Sequence, residues 1–212
     1  MPVAWRPRYI FLHCPCDVET RRELPRHLWL FLNATSLCFA GALSSLYPMR
    51  VLIGCESSNE VRDAFAALGH DAWSCDYLPA ERGGNHFQCD VREVLHLDWD
   101  LFIGHPPCPY LTVSANRWLK DQPARKSGAL VGEARRKAQK EAAEFFMFLW
   151  NCGIPKIAIE NPIGVMSTLF RKPDQVIQPW MFGHGETKAT CLWLKNLPCL
   201  RPTKIVEGRE DR

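Results

Sequence analysis

No two cysteines in this chain are spaced as Cys-x-x-Cys, although ten occur in 212 residues, and their separations form no regular series. Zinc ribbons and the disulfide frameworks of small secreted domains both rest on such spacings, so reduced thiols and a cytoplasmic location are expected. One tight group, His13, Cys14 and Cys16 in LHCPC, has no matching second pair, and no metal is expected there. Internal repeats and low-complexity segments are missing too, which leaves out solenoids and tails. A strong charge of either sign is also lacking: the formal net charge is +3, and 47% apolar residues suit one packed domain. What charge there is lies unevenly. Arg117, Lys120, Arg125, Lys126, Arg135, Arg136, Lys137 and Lys140 face only Asp121 and Glu133 within their window. Such a window is either a solvated helix face or a docking surface for a polyanion.

Residues 1–48 differ in character from the rest. An Arg-rich start leads into an apolar run from Leu28 to Leu46, which has the outline of a signal peptide or a weak membrane span. Asn33, Thr35 and several serines within the run, and acids within the preceding positive region, speak against both. The expectation adopted is that Met49 is the natural start and 1–48 an extension from an over-long reading frame, with a helical accessory segment as the alternative. Residues 49–212 form the domain.

From Met49 onward strands and helices alternate. RVLIGC (50–55) is an unbroken apolar run, and SNEVRDAFAALG follows with Ser58 or Asn59 as N-cap and Val61, Ala64, Phe65 and Leu68 at helical spacing. Then come a strand DAWSCD (71–76), HFQCD (86–90), a short helix VREVLHL, a strand DLFIG (100–104) and, after a basic connection, a helix over 132–151. KIAIEN (156–161), QVIQP and ATCLWL supply the last strands. This alternation predicts an α/β fold with a doubly wound, mostly parallel sheet. Such sheets take ligands beyond the carboxyl ends of their strands.

The chemically informative residues cluster at those ends. Glu56 and Ser57 follow the first strand, Asp76 ends the second, Asp90 the third, Cys108 follows the fourth, and Glu160 with Asn161 ends the fifth. An acid ending a second strand can accept both hydroxyls of a ribose, which suits Asp76 to an adenosyl cofactor, and Asp90 can accept from an adenine amine. Each is equally a turn or helix cap in a bland reading. Cys108, between prolines in WDLFIGHPPCPYLTVSANRW, is placed as a nucleophile. Glu160, beside an apolar strand, is expected to have its pKa raised by desolvation toward that of a proton donor.

Two of these segments resemble a known family. GHPPCPYLTVSA is similar to the catalytic motif of DNA cytosine-C5 methyltransferases, and IENP to their Glu-Asn-Val motif. More closely, MRVLIGCESSNEVRDAFAALGHDAWSCDYLP, IENPIGVMSTLFRKPDQVIQPWMFGHGETKATCLWLKNLP and VEGRE resemble the compact phage and prophage members, so that the likeness runs over 49–210. The resemblance implies a methyltransferase fold of Rossmann-like type that uses S-adenosylmethionine (AdoMet). It also implies Cys108 adding to cytosine C6 while Glu160 engages N3, with DNA carrying a flipped or unpaired cytosine as partner. For the cofactor it points to Gly54, Glu56, Ser57, Asp76, Asp90 and Pro106; for the substrate, to Ser114, Asn116, Arg117, Asn161, Lys188 and Thr190. The sequence departs from the family in several places. GCESSNE replaces the glycine-rich first loop, Pro109 stands where glutamine follows the cysteine, ETKATC replaces Gln-x-Arg-x-Arg, and neither a target-recognition domain nor the compact relatives' C-terminal tail is present. A pyrimidine-nucleotide C5-modifying enzyme and a non-catalytic nucleic-acid binder on the same fold remain open alternatives.

Overall fold

Arg50–Gly54 (β1) is buried at four of its five positions, and a strand sealed on both faces belongs in the interior of a sheet. The computed structural model, which describes residues 48–207, places it there. Seven strands form one sheet in the order β3-β2-β1-β4-β5-β7-β6, where β2 is Asp71–Asp76, β3 His86–Gln88, β4 Leu101–Gly104, β5 Lys156–Pro162, β6 Gln175–Ile177 and β7 Thr190–Lys195. The pairs among β1 to β5 are parallel, while β7 runs antiparallel to both β5 and β6. The fold is thus α/β with a mostly parallel sheet. The chain leaves β1 toward β2 and β3 and returns to β4 on the other side, so the topological switch lies between β1 and β4.

Alternate side chains of each strand build two cores. On one face Val51, Ile53, Leu101, Ile103 and Ala158 cluster with Val61 and Phe65 of helix α1, Glu60–Ala67. On the other, Leu52, Phe102, Ile157 and Ile159 cluster with Phe146 and Leu149 of helix α2, Gly132–Trp150, and with Trp193 of β7. Gly54 and Gly104 are register partners across the switch point. The Phe102 ring fills the space their side chains would need, leaving a Cβ on Gly54 only 2.7 Å from Cε2 and one on Gly104 2.9 Å from Cε1. Gly54 therefore has a packing reason of its own.

Several local expectations change. Asn59 is the N-cap of α1 by position, but at φ 66° it makes no side-chain cap, its amide being turned to Ser74 Oγ at 2.7 Å; Ser58 Oγ accepts the Glu60 N–H at 3.3 Å and Glu56 Oε1 the Val61 N–H at 2.9 Å. VREVLHL shortens to a 3-10 turn, Val91–Glu93. A second 3-10 segment, Val113–Leu119, and a four-residue helix α3, Met166–Leu169, occupy stretches the sequence left as connections. No helix among the described residues is long and apolar enough to cross a membrane. All of the extension but Pro48, including its apolar run and His13, Cys14 and Cys16, lies outside the described residues.

Candidate active site

Parallel pairing brings the ends of β1 to β5 to one edge, and with them Glu56, Asp76, Asp90, Cys108 and Glu160. They divide into two groups. The first lines a shallow, open recess at β1, β2 and β3, walled by Cys55, Asp76, Tyr77, Asp90, Val91, Pro107 and Phe145 among others. Cys55, at φ 62°, turns the first loop so that its N–H and that of Glu56 both donate to the Cys75 carbonyl, at 2.8 and 3.2 Å. Asp76 is buried, and its Oδ1 accepts the Leu78 N–H at 3.0 Å. Asp90 closes a capping box with Glu93: its Oδ1 accepts the Arg92 N–H at 2.9 Å, and Glu93 accepts the Asp90 N–H at 3.3 Å. Its Oδ2 takes the Tyr77 hydroxyl at 2.6 Å and Arg92 Nη1 at 3.0 Å. Of the two roles foreseen for Asp90, helix cap and ligand acceptor, the structure shows the cap. Glu56 is not among the residues lining this recess, and Ser57 is half-buried with its carbonyl on the Glu81 N–H.

The second group surrounds the cysteine. Cys108 is exposed, at the start of a turn in which its carbonyl accepts from the Leu111 and Thr112 N–H groups at 2.9 and 3.2 Å. Prolines contribute carbonyls to this loop but no donors, and partners from β5, α2 and the turn after β5 take the loop's carbonyls, prolyl and otherwise. From β5, Asn161 Nδ2 donates to Pro106 O at 3.1 Å. From α2, Arg135 Nη2 donates to Pro109 O and, one turn later, Gln139 Nε2 to Tyr110 O, each at 2.9 Å. From the turn after β5, the Val165 N–H donates to Leu111 O at 2.8 Å, and Thr112 bridges Gly164. The cysteine is presented on a loop clamped in place. Asn161, foreseen at the substrate, is 1% exposed and serves this clamp.

Glu160 is not sunk among apolar groups as its strand suggested. Its side chain is 24% exposed, and its Oε2 lies 3.5 Å from His105 Nδ1. Sequence reasoning passed over His105. The signal was available: a histidine directly after a buried strand, one strand over from an acid at the same level. Arg135 was misjudged in the opposite sense, since it was counted in the basic window but is buried and points at the cysteine loop. Arg136 pairs with Asp121 at 2.9 Å, and Lys137 and Lys140 lie 4.0 and 3.9 Å from Glu141 and Glu144, acids just outside that window. The outward cationic surface is therefore carried chiefly by Arg117, Lys120, Arg125 and Lys126, all exposed. The Arg117 and Arg125 guanidinium groups lie over Trp118, at 4.6 and 3.9 Å from its ring.

Ser114, Asn116 and Arg117 are exposed on the 3-10 segment that follows the cysteine turn. Lys188 is exposed before β7, and its N–H donates to Gln178 Oε1. Thr190 is buried opposite Pro162, at the same sheet edge as Glu160. No group of three His, Cys, Asp or Glu side chains among the described residues is arranged to hold a metal ion.

No protein-family model matches the chain, and no curated protein matches it in sequence. Among solved structures it is similar to the plantazolicin methyltransferase BpumL in complex with SAH, with 11% identity, a TM-score of 0.36 and 67% of this chain and 49% of that one covered. It is similar also to WbdD, with 13% identity, a TM-score of 0.40 and 90% of this chain and 44% of that one covered. A third is the type I restriction-modification system methyltransferase subunit from Streptococcus thermophilus, with 10% identity, a TM-score of 0.36 and 85% of this chain and 44% of that one covered. The chain spans less than half the length of each.

Proposed function

We propose that this protein is an AdoMet-dependent methyltransferase that modifies C5 of cytosine in DNA, with Cys108 as nucleophile and Glu160 as the group that engages the base. The observation that carries the reading is the exposed thiol on a clamped turn after β4, with a carboxylate near the end of the neighbouring strand β5. A thiol that only packed would need neither the exposure nor the clamp.

The recess fits an adenosyl group by the chemistry of its walls. A buried acid ends β2, a second acid lies two residues past β3, and Val91, Pro107 and Phe145 give apolar surface. Asp76 would accept from the ribose hydroxyls, and Asp90 from the adenine amine once the Tyr77 hydroxyl lets it go. When bound, the cofactor supplies an electrophilic methyl group. Cys108 would add as thiolate to C6 while a Glu160 carboxyl gives its proton to N3, leaving C5 electron-rich. After methylation, loss of the C5 proton expels the thiolate and N3 returns its proton to Glu160. A paired base hides both faces of its ring, so the cytosine must be flipped or single-stranded. Arg117, Lys120, Arg125 and Lys126, directly after the cysteine turn, suit the phosphates.

The test is a DNA carrying 5-fluorocytosine, offered together with AdoMet. Fluorine cannot leave as a cation, so elimination stalls and the protein stays covalently joined to the DNA through Cys108. Mass spectrometry should map the adduct to Cys108, and Cys108→Ala should abolish it. An adduct on Cys55 or Cys191 overturns the assignment of the nucleophile. An adduct formed with the free fluorinated nucleotide but with no DNA makes the nucleotide the substrate.

A further inference from the structure

Glu56, His105 and Glu160 lie at or just beyond the ends of β1, β4 and β5, three neighbouring strands, with the histidine's strand in the middle. The His105 N–H donates to Gly54 O at 3.0 Å, which fixes the backbone that carries the ring. Its Nδ1 faces Glu160 Oε2 at 3.5 Å. On the β1 side, Glu56 is 3% exposed; its Oε1 is taken by the Val61 N–H and the Ser58 hydroxyl, both at 2.9 Å, the Arg62 N–H also acts on the carboxylate, and its Oε2 is buried without a hydrogen bond of good geometry. His105 Nε2 is likewise buried and without a partner. Burying such atoms is costly, and an apolar residue of similar size would fill the same space without the cost. Packing does not account for the choice of an imidazole between two carboxylates.

The electrostatics point the same way. Burial by itself pushes His105 down, but the hydrogen bond to Glu160, the Glu160 charge and the Glu56 charge together reverse this and hold the imidazole above its ordinary value. Burial pushes Glu56 up, against the His105 charge, the Val61 and Arg62 N–H groups and the Ser58 hydroxyl. The charged groups acting on His105 are thus Glu56 from the loop after β1 and Glu160 from β5; behind Glu160, Cys191 of β7 is pushed up by burial and by the Glu160 charge.

We propose that His105 is a positioning residue that, held between Glu56 and Glu160, keeps a proton on Nδ1 for Glu160 and so sets the pH range in which Glu160 can serve N3 of the pyrimidine. The inference rests on the role given to Glu160 above. The His105 Nδ1 proton passes to the Glu160 carboxylate at Oε2 and Glu160 gives a proton to N3, which leaves the ring neutral with its remaining proton on Nε2. When the thiolate leaves, N3 returns its proton to Glu160 and Glu160 restores the imidazolium. No proton is gained or lost by the relay over the cycle.

Two measurements test it separately from the reading it rests on. In the protein without DNA or cofactor, nitrogen NMR of the labelled imidazole should show His105 titrating above the ordinary histidine range, and Glu160→Gln should bring that titration down. A titration at or below the ordinary range, or one indifferent to Glu160→Gln, overturns the relay whatever the protein does to DNA. On fluorocytosine DNA, His105→Gln keeps a donor for Glu160 but cannot ionise. Adduct formation should fall about 100-fold, the scale of a lost general acid, and the fall in rate with rising pH that marks the imidazolium should vanish, with the melting temperature nearly unchanged. A variant that forms the adduct at the wild-type rate with the wild-type pH profile shows that His105 merely packs. Absence of any adduct in the wild-type protein, with the NMR shift present, removes the catalytic role of the trio and leaves its proton sharing as a structural property.

Discussion

Asp76 and Asp90 were read alike as strand-terminal acids, and the structure separates them. Asp76 is buried at the recess and holds a turn N–H, whereas Asp90 is committed to a capping box, the Tyr77 hydroxyl and Arg92. Asp76→Ala should therefore weaken AdoMet binding by about 1.5–3 kcal/mol, the worth of hydrogen bonds to a charged acceptor, as measured by calorimetry. Asp90→Ala should instead show itself in denaturant, at about 1 kcal/mol for a lost cap, with a smaller change in affinity. Unchanged affinity in the Asp76 variant removes the ribose assignment. Residue type and position in the sequence sufficed to choose these acids. Which of them is already satisfied by its neighbours depends on distances, and those no sequence pattern carries.

Among elements, the connection that decides the site is the pairing of the cysteine turn with the turn after β5. Gly164 makes it possible, for a Cβ there would run into the Leu111 carbonyl and crowd Thr112 Cα at 3.3 Å. Backbone cannot swing aside as a long side chain can. Gly164→Ala should push the two turns apart, costing about 1–3 kcal/mol in stability, as overpacking does. It should also slow Cys108 adduct formation by on the order of 100-fold, the scale of a misplaced reacting group. Wild-type rates and stability together would show that the clamp is dispensable. Pro162 and Gly164 suggest a turn by residue type, but nothing in the sequence tells that this turn meets the cysteine loop, because the two segments are some fifty residues apart. Arg135 and Gln139 escaped for the same reason. A basic window on a helix looks like a solvated face until the loop it grips is seen across from it.

For the molecule as a whole, the antiparallel end of the sheet is tied down by Arg171 and Asp174. The guanidinium pairs with both carboxylate oxygens at 3.0 and 2.7 Å, Asp174 Oδ2 accepts the Leu194 N–H at 2.7 Å, and Trp193 Nε1 donates to the Arg171 carbonyl at 2.9 Å. Burial alone would raise the Asp174 carboxyl, but Arg171 and the Leu194 N–H hold it below the usual carboxylate range. A group lowered by folding adds stability that is fully present above its unfolded value, near pH 4, and is lost as the pH falls through its folded value. Denaturant melts should therefore show stability falling below about pH 4, with a shallower acid slope in Asp174→Asn. An identical slope in the variant assigns the acid loss to other carboxylates.

The sequence by itself determined the class of the fold, the run of strands and helices from Met49, and the five strand ends that carry reactive groups. It could do so because hydrophobic periodicity and capping residues are local, and because a parallel sheet sends all its carboxyl ends to one edge. Only the tertiary structure decided how those ends are partnered. It reversed β7 against β5, took Glu56 as an acceptor at the start of α1 and as a neighbour of His105, turned Arg135 inward, and set Glu160 against an imidazole instead of an apolar wall. Each of these contacts joins groups from different elements, and the packing that selects them is a property of the folded chain.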